Sequence, residues 1–273
     1  MNNILIKEIS TTNYLTKSKL PSADYVINPY VGCTHGCKYC YASFMKRFTG
    51  HKEEWGTFID VKICNKKINK EKLIGKTIFL SSVTDCYNKV EEKYKLTRNI
   101  LNQIKDVDCI INISTKSKLI LRDLDLLKQC KHLIVSISIN TLNEDFRNDM
   151  DNASTIKERI EILKVLHENG IYTVLFMSPI FPYITEWKEI IEKTHNYVDE
   201  YWFENLNLRG NYKSSILNYI KEKYPDLIDK YNHIYINNTK NYWIELSKQI
   251  NQYCISNNIK FINYFYHDEI KKQ

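Results

Sequence analysis

Between Lys76 and Leu206 the chain repeats one unit, a short run of branched and aromatic residues followed by a longer stretch with apolar residues at helical spacing. The runs are Lys76 to Ser81 (KTIFLS), Cys109 to Ser114 (CIINIS), Leu133 to Ile139 (LIVSISI), Tyr172 to Ser178 (YTVLFMS) and Glu200 to Leu206 (EYWFENL). Between them lie helical patterns at Tyr94 to Ile104, Leu119 to Gln129, Ser154 to Asn169 and Glu186 to Asn196, with Gly170 placed as a helix C-cap. Strands that are apolar on both faces must be covered on both, and intervening helices do this for a parallel sheet. With an earlier strand near Tyr25 to Asn28 there are six strand candidates, which predicts an α/β chain with a curved, partly closed (β/α)6 sheet. In such sheets chemistry sits at the C-terminal ends of the strands.

The flanks read differently. Residues 1–24 are polar and strand-poor, an N-terminal arm with Pro21 as a stop; residues 25–210 form the core; residues 211–273, rich in Asn and Tyr, form an appendage. The appendage carries a helix candidate at Tyr242 to Ser256 and a strand candidate at Lys260 to Phe265, so it reads as a small α/β piece closing one edge of the sheet. Tyr41 to Phe48 is helix-like and is followed by a loop of mixed character through Trp55 and Gly56. At 273 residues and 43% hydrophobic, the chain can bury one large core. No apolar run is long enough to cross a bilayer, and Met1 to Lys7 lacks the apolar stretch of a signal peptide, so a cytoplasmic protein away from membranes is expected. The net charge of +7 comes from 33 Lys and only 6 Arg. Arg is the residue that reads phosphate and guanine in bidentate fashion, so charge alone supports a nucleic-acid partner weakly.

Of eight cysteines, Cys33, Cys37 and Cys40 lie together in NPYVGCTHGCKYCYAS, a Cys-x3-Cys-x2-Cys spacing. In a reducing compartment such a trio holds metal rather than forming disulfides. Three thiolates within eight residues can hold three corners of a [4Fe–4S] cube and leave the fourth iron open for chemistry. Gly32 and Gly36 let the loop bend tightly around it. Structural zinc is the alternative, in a non-catalytic nucleic-acid-binding module; it needs a fourth ligand, and only His35 and His51 are near in sequence. Cys64, Cys109, Cys130 and Cys254 are isolated and give no second cluster pattern.

These residues resemble the signature of the radical S-adenosylmethionine (radical SAM) superfamily, including Tyr39 before the last cysteine. The stretches INPYVGCTHGCKYCYAS, SSVTDCYNKVEEKYKLTR, STKSKLILRDLDLL and SISINTLNEDFR are similar to the spore photoproduct lyase-like branch, most closely to radical SAM mobile pair protein B, over roughly residues 25–210. The resemblance implies a partial (β/α)6 barrel, a [4Fe–4S] cluster on Cys33, Cys37 and Cys40, and reductive cleavage of S-adenosylmethionine (SAM) to a 5'-deoxyadenosyl radical that takes a hydrogen atom from substrate. It also implies a flavodoxin or ferredoxin as electron donor, and its name implies a second radical SAM protein acting alongside.

The same resemblance directs attention to particular side chains. Tyr39 packs by the adenine. Thr84, with Ser81, Ser82 and Asp85 after the second strand, stands where the SAM amino group binds; the bland reading is a helix N-cap run. Lys116 matches a lysine that meets the SAM carboxylate, against a solvated loop lysine. Ser138 and Asn140, on one face with Ser136, reach the carboxylate or ribose, against local turn bonds. Glu204 and Asn205 end the sixth strand candidate, where a substrate or SAM contact is possible. Cys86 is a candidate hydrogen donor to a substrate radical, against a small buried hydrophobe. Spore photoproduct lyases carry a hydrogen-donating cysteine just before the corresponding stretch of this loop; here Ser81, Ser82 and Val83 stand there, which sets the DNA-lesion reaction apart as an alternative. Arg122 with Asp123, Glu91 with Arg98, and Arg159 are expected to form structural ion pairs between helices.

Overall fold

The computed structural model describes residues 4–210 and 212–265. Its strands are β1 (Leu5–Ser10), β2 (Leu15–Lys17), β3 (Tyr25–Ile27), β4 (Tyr30–Gly32), β5 (Phe58–Ile63), β6 (Thr77–Leu80), β7 (Ile110–Thr115), β8 (His132–Ser138), β9 (Tyr172–Ile180), β10 (Glu200–Asn205) and β11 (Phe261–Asn263). The α-helices are α1 (Glu91–Tyr94), α2 (Leu96–Ile104), α3 (Leu124–Leu127), α4 (Glu144–Met150), α5 (Ile156–Glu168), α6 (Trp187–Thr194), α7 (Tyr212–Lys223), α8 (Ile228–Tyr235) and α9 (Asn241–Ser256).

The six strand candidates of the sequence lie side by side as β3, β6, β7, β8, β9 and β10, every neighbouring pair parallel. β11 extends the sheet in parallel beyond β10, and β2 ends it antiparallel to β3. Among the described residues no pairing joins β2 to β11, so the chain forms a partial barrel, open along one side. Register shows how the two faces divide. Leu80, Ile113 and Val135 stand in line on β6, β7 and β8 and are fully buried, on the face where α5 packs against β8 and β9. The opposite face carries Asn112, Ser114, Ser136 and Ser138. One wall of the barrel interior is therefore polar.

Helix boundaries follow local chemistry. α5 starts at a capping box in which Thr155 and Glu158 satisfy each other's backbone N–H groups, and the chain leaves it through Gly170 at φ +74°. The expected helix at Tyr94 to Ile104 is split, because Lys95 takes a left-handed φ of +52° between α1 and α2. Leu119 to Gln129 is a 3₁₀ turn at Lys118–Asp123 followed by the four residues of α3.

Three expectations need correction. The arm at residues 1–24 is not strand-poor: β1 pairs in parallel with β5, and β2 pairs with β3. Both are edge strands with mostly exposed side chains, so their polar composition hides them. β5 lies inside what reads as loop and connecting sequence after Gly56, and β1, β5 and β4 make a separate three-stranded sheet. The appendage contains α7 and α8 besides α9 and β11, their patterns masked by frequent Asn and Tyr.

The expected pair of Arg122 with Asp123 forms within a network, while Glu91 pairs with Arg122 in place of Arg98. Arg122 Nη2 lies 2.7 Å from both Glu91 and Asp123, while Arg98 pairs with Asp123 at 2.9 Å and Asp125 at 2.7 Å. Glu91 has no exposed surface and also accepts from the Tyr30 hydroxyl at 2.5 Å and the Thr97 backbone at 2.9 Å. Removing one member of a buried charge set leaves the others uncompensated. Glu91→Ala is expected to lower unfolding stability by about 3 kcal/mol or more, measured by urea denaturation against wild type.

Candidate functional site

The cysteine loop leaves β4 at Gly32, whose φ is +89°. A Cβ at this position would stand 2.4 Å from the Phe58 carbonyl oxygen, so the close pairing of β4 with β5 admits only glycine. A Cβ on Gly56, at φ +100°, would stand 2.8 Å from Gly36 Cα, so the loop and the segment leading to β5 press backbone against backbone. The loop is then pinned from outside by Lys38 N–H to the Met150 carbonyl (2.9 Å) and Asn152 N–H to the His35 carbonyl (2.8 Å).

All eight cysteines are free thiols. Cys33 is buried, and Cys37 and Cys40 are half-buried in the isolated chain. Burial pushes all three loop thiols up, Cys37 to about 12, and the charges of Cys37 and Cys40 add to the rise at Cys33. A positive centre has to offset that burial if the thiolates are to form. Lys116 acts in this direction on Cys37 and Cys40, and the Trp55 indole N–H donates to the Cys40 sulfur. Soft thiolates suit an iron–sulfur cluster. Among the described residues no three His, Cys, Asp or Glu side chains converge as one metal ion requires. Of the two histidines near the cysteines in sequence, His51 is bonded at both ring nitrogens, through Nδ1 to Glu53 (3.0 Å) and through Nε2 to Asp60 (2.9 Å), and His35 is bonded through Nε2 to Asp85 (3.0 Å). Three thiolates on one loop match the number of protein ligands that leaves one iron of a cube open.

Tyr39 is buried, its ring edge-on to Phe181 at 5.6 Å and its hydroxyl donating to Asp151 Oδ2 at 3.2 Å. Asp151 Oδ1 is 2.5 Å from Arg159 Nη2, and both side chains are 1% exposed. Arg159 donates as well to the carbonyls of Ser138 (3.2 Å) and Ser154 (2.8 Å). The guanidinium joins α5, the end of β8 and the tyrosine of the cysteine loop. The sequence shows Arg159 only as a structural pairing residue and gives no sign of Asp151; both lie far from the cysteines along the chain.

Lys116 follows β7 and reaches the same place, its Nζ 5.8 Å from the Tyr39 ring centroid. Among the described residues the ammonium has neither a hydrogen bond nor an ion pair. Thr84 Oγ1 donates to the Gly32 carbonyl at 2.5 Å, tying the loop after β6 to the start of the cysteine loop. Ser81, at φ +76°, accepts from Cys86 N–H at 2.8 Å, and Ser82 Oγ accepts from Asn28 at 2.8 Å. None of this run caps a helix, since α1 begins only at Glu91. Ser138 and Asn140 are buried at the end of β8, where the Asn140 amide donates to the Pro179 carbonyl at 3.1 Å, a bond across to β9 and not a local turn bond.

At the end of β10 the Ser178 hydroxyl bonds to Glu204, while Asn205 Oδ1 is buried with no hydrogen-bond partner among the described residues. On the polar inner face Asn112 Oδ1 and Trp202 Nε1 are also buried without partners there. Cys86 is the candidate hydrogen donor of this loop. It has no exposed surface, belongs to the main hydrophobic core, and its thiol is pushed well up by burial. The structure makes it a small core residue.

A model of the radical SAM superfamily matches residues 27–194. An uncharacterized protein of Methanocaldococcus jannaschii is 38% identical over 226 residues, 82% of this chain and 86% of its own. A radical SAM Nalpha-GlyT isomerase of Pseudomonas phage M6 is 26% identical over 190 residues, 67% of this chain and 37% of its own. Among solved structures, a spore photoproduct lyase complexed with dinucleoside spore photoproduct superposes with a TM-score of 0.56 at 16% identity, over 80% of this chain and 66% of the lyase. Streptococcus suis SuiB bound to S-adenosylmethionine superposes at 0.54 and 17% identity, over 87% of this chain and 49% of SuiB.

The Asp151 carboxyl, though burial alone would raise it, is held below the usual carboxylate range by the charge of Arg159 and by Lys116. A depressed carboxylate adds stability above its unfolded pKa and loses it as pH falls through the lower folded value. Asp151→Asn is therefore expected to be less stable than wild type at about pH 7, with the gap narrowing toward about pH 3 in paired urea titrations.

Proposed function

Since the chain belongs to the radical SAM superfamily, an enzyme superfamily that works with a [4Fe–4S] cluster and SAM, we propose that Cys33, Cys37 and Cys40 hold the cluster and that the polar interior of the partial barrel receives SAM and substrate. The observation that carries this reading is the meeting of three disulfide-free thiols, one buried and two half-buried, with the Lys116 ammonium, which has no hydrogen bond or ion pair among the described residues, beside the C-terminal ends of the parallel strands. When bound, the cluster supplies the electron that cleaves SAM to methionine and a 5'-deoxyadenosyl radical, which then takes a hydrogen atom from substrate.

The protein's own residues position and enclose. Lys116 offers a cation to the SAM carboxylate, and no partner competes for it among the described residues. Tyr39, locked by Asp151, presents its backbone and ring to the adenine. Thr84 contributes by fixing the loop after β6 against Gly32, so that backbone carbonyls of that loop accept from the SAM ammonium. Ser138, its backbone anchored by Arg159, turns its side chain toward the polar inner face. Asn112 Oδ1 and Trp202 Nε1 on that face, without partners among the described residues, supply an acceptor and a donor to whatever occupies the interior. An acidic flavodoxin or ferredoxin is the proposed electron source, drawn by the net charge of +7. No helix among the described residues is long and apolar enough to cross a membrane.

Anaerobic reconstitution with iron and sulfide, reduction with dithionite and addition of SAM tests the reading. Wild type is expected to turn brown and release 5'-deoxyadenosine, whereas Cys37→Ala takes up less iron and releases none. A colourless wild-type protein that binds zinc and leaves SAM intact would overturn it.

A further inference from the structure

Asp85 is buried at the C-terminal end of the sheet, and its two oxygens accept from four groups. His35 Nε2 lies 3.0 Å from Oδ2, the Thr115 hydroxyl 2.8 Å from Oδ1, and the backbone N–H groups of Tyr87 and Lys116 lie at 2.8 and 2.9 Å. These donors come from three segments. His35 sits midway between Cys33 and Cys37, Tyr87 belongs to the loop after β6, and Thr115 and Lys116 are the end of β7 and the residue after it. A carboxylate offers about four lone-pair sites, so this one is fully used. Asp85 therefore acts through its neighbours and not on a ligand.

Lys116 is tied into this arrangement through its backbone. Its ammonium has no hydrogen bond among the described residues, and its backbone is fixed by the N–H on Asp85 and by its carbonyl, which accepts from Ser154 N–H at 3.3 Å. The same carboxylate that orients Lys116 grips the loop between the first two cysteines. We infer that Asp85 is a positioning residue that sets the Lys116 ammonium at a fixed offset from the three thiols, so that one SAM molecule can meet both. The inference rests on the proposed roles of the cysteines and of Lys116.

A double-mutant cycle tests it on the full chain, reconstituted anaerobically, with iron and sulfide content measured first and SAM affinity then read by calorimetry and by the SAM-induced change in the electron paramagnetic resonance of the reduced cluster. Outer-shell partners of a site typically contribute 10–100-fold, so Asp85→Asn is expected to keep its cluster but weaken SAM binding about tenfold or more. In the Lys116→Ala background the same substitution is expected to weaken SAM binding no further, because the group it positions is gone. Thr115→Val, which removes one donor and leaves the carboxylate in place, is expected to show the same non-additivity with a smaller loss, and it serves if Asp85→Asn does not fold. Unchanged SAM affinity in Asp85→Asn, or losses that multiply with those of Lys116→Ala, would overturn the inference. Failure of the wild-type chain to take up iron would instead overturn the site assignment beneath it.

Discussion

The ion pair between Asp151 and Arg159 is the interaction on which the site's architecture leans. Two charges almost wholly removed from water have a heavy desolvation cost, and only close geometry with full hydrogen bonding offsets it. Here both conditions hold. Arg159 spends its remaining donors on the carbonyls of Ser138 and Ser154, and Asp151 accepts from Tyr39 and from the Ala153 backbone as well. A helix, a strand end and the cysteine loop thus share one electrostatic knot. None can shift without leaving a buried charge or carbonyl unpaired, and that gives a glycine-containing loop a definite shape.

Most of the fold is legible because it rests on composition at short range. The runs TIFL, IINIST, HLIVSIS and YTVLFMSPI become adjacent parallel strands, and Thr155 with Glu158 marks the start of α5 within one helical turn. What escapes the sequence is whatever depends on an exposed edge or on a distant partner. LIKEIS and FIDVKI are strands because they pair with each other across the cysteine loop, and neither carries the continuous apolar character of a strand buried on both faces. The short 3₁₀ and α segments between β7 and β8 likewise show an apolar periodicity that does not reveal the break at Asp123.

The site divides along the same line. The three cysteines are visible by spacing, and their loop carries its chemistry in consecutive letters. The groups that hold the loop are not, since Asp85, Asp151 and Arg159 reach it from 45 or more positions away in the chain and their role exists only after folding. Cys86 shows the converse limit. A thiol next to a motif in sequence can point into the core, and Thr97 and Ser81 hold its backbone there.

The separate sheet of β1, β5 and β4 has a mechanical consequence. Backbone pairing runs from β1 through β5 to β4, whose last residue, Gly32, immediately precedes Cys33. The strand β1 carries none of the candidate site residues, yet it stands in series with the first thiol, like the outermost link of a short tether. Fraying begins at sheet edges, and β1 is such an edge. The order of the cysteine loop is therefore conditional on a strand that, by composition, reads as a polar arm.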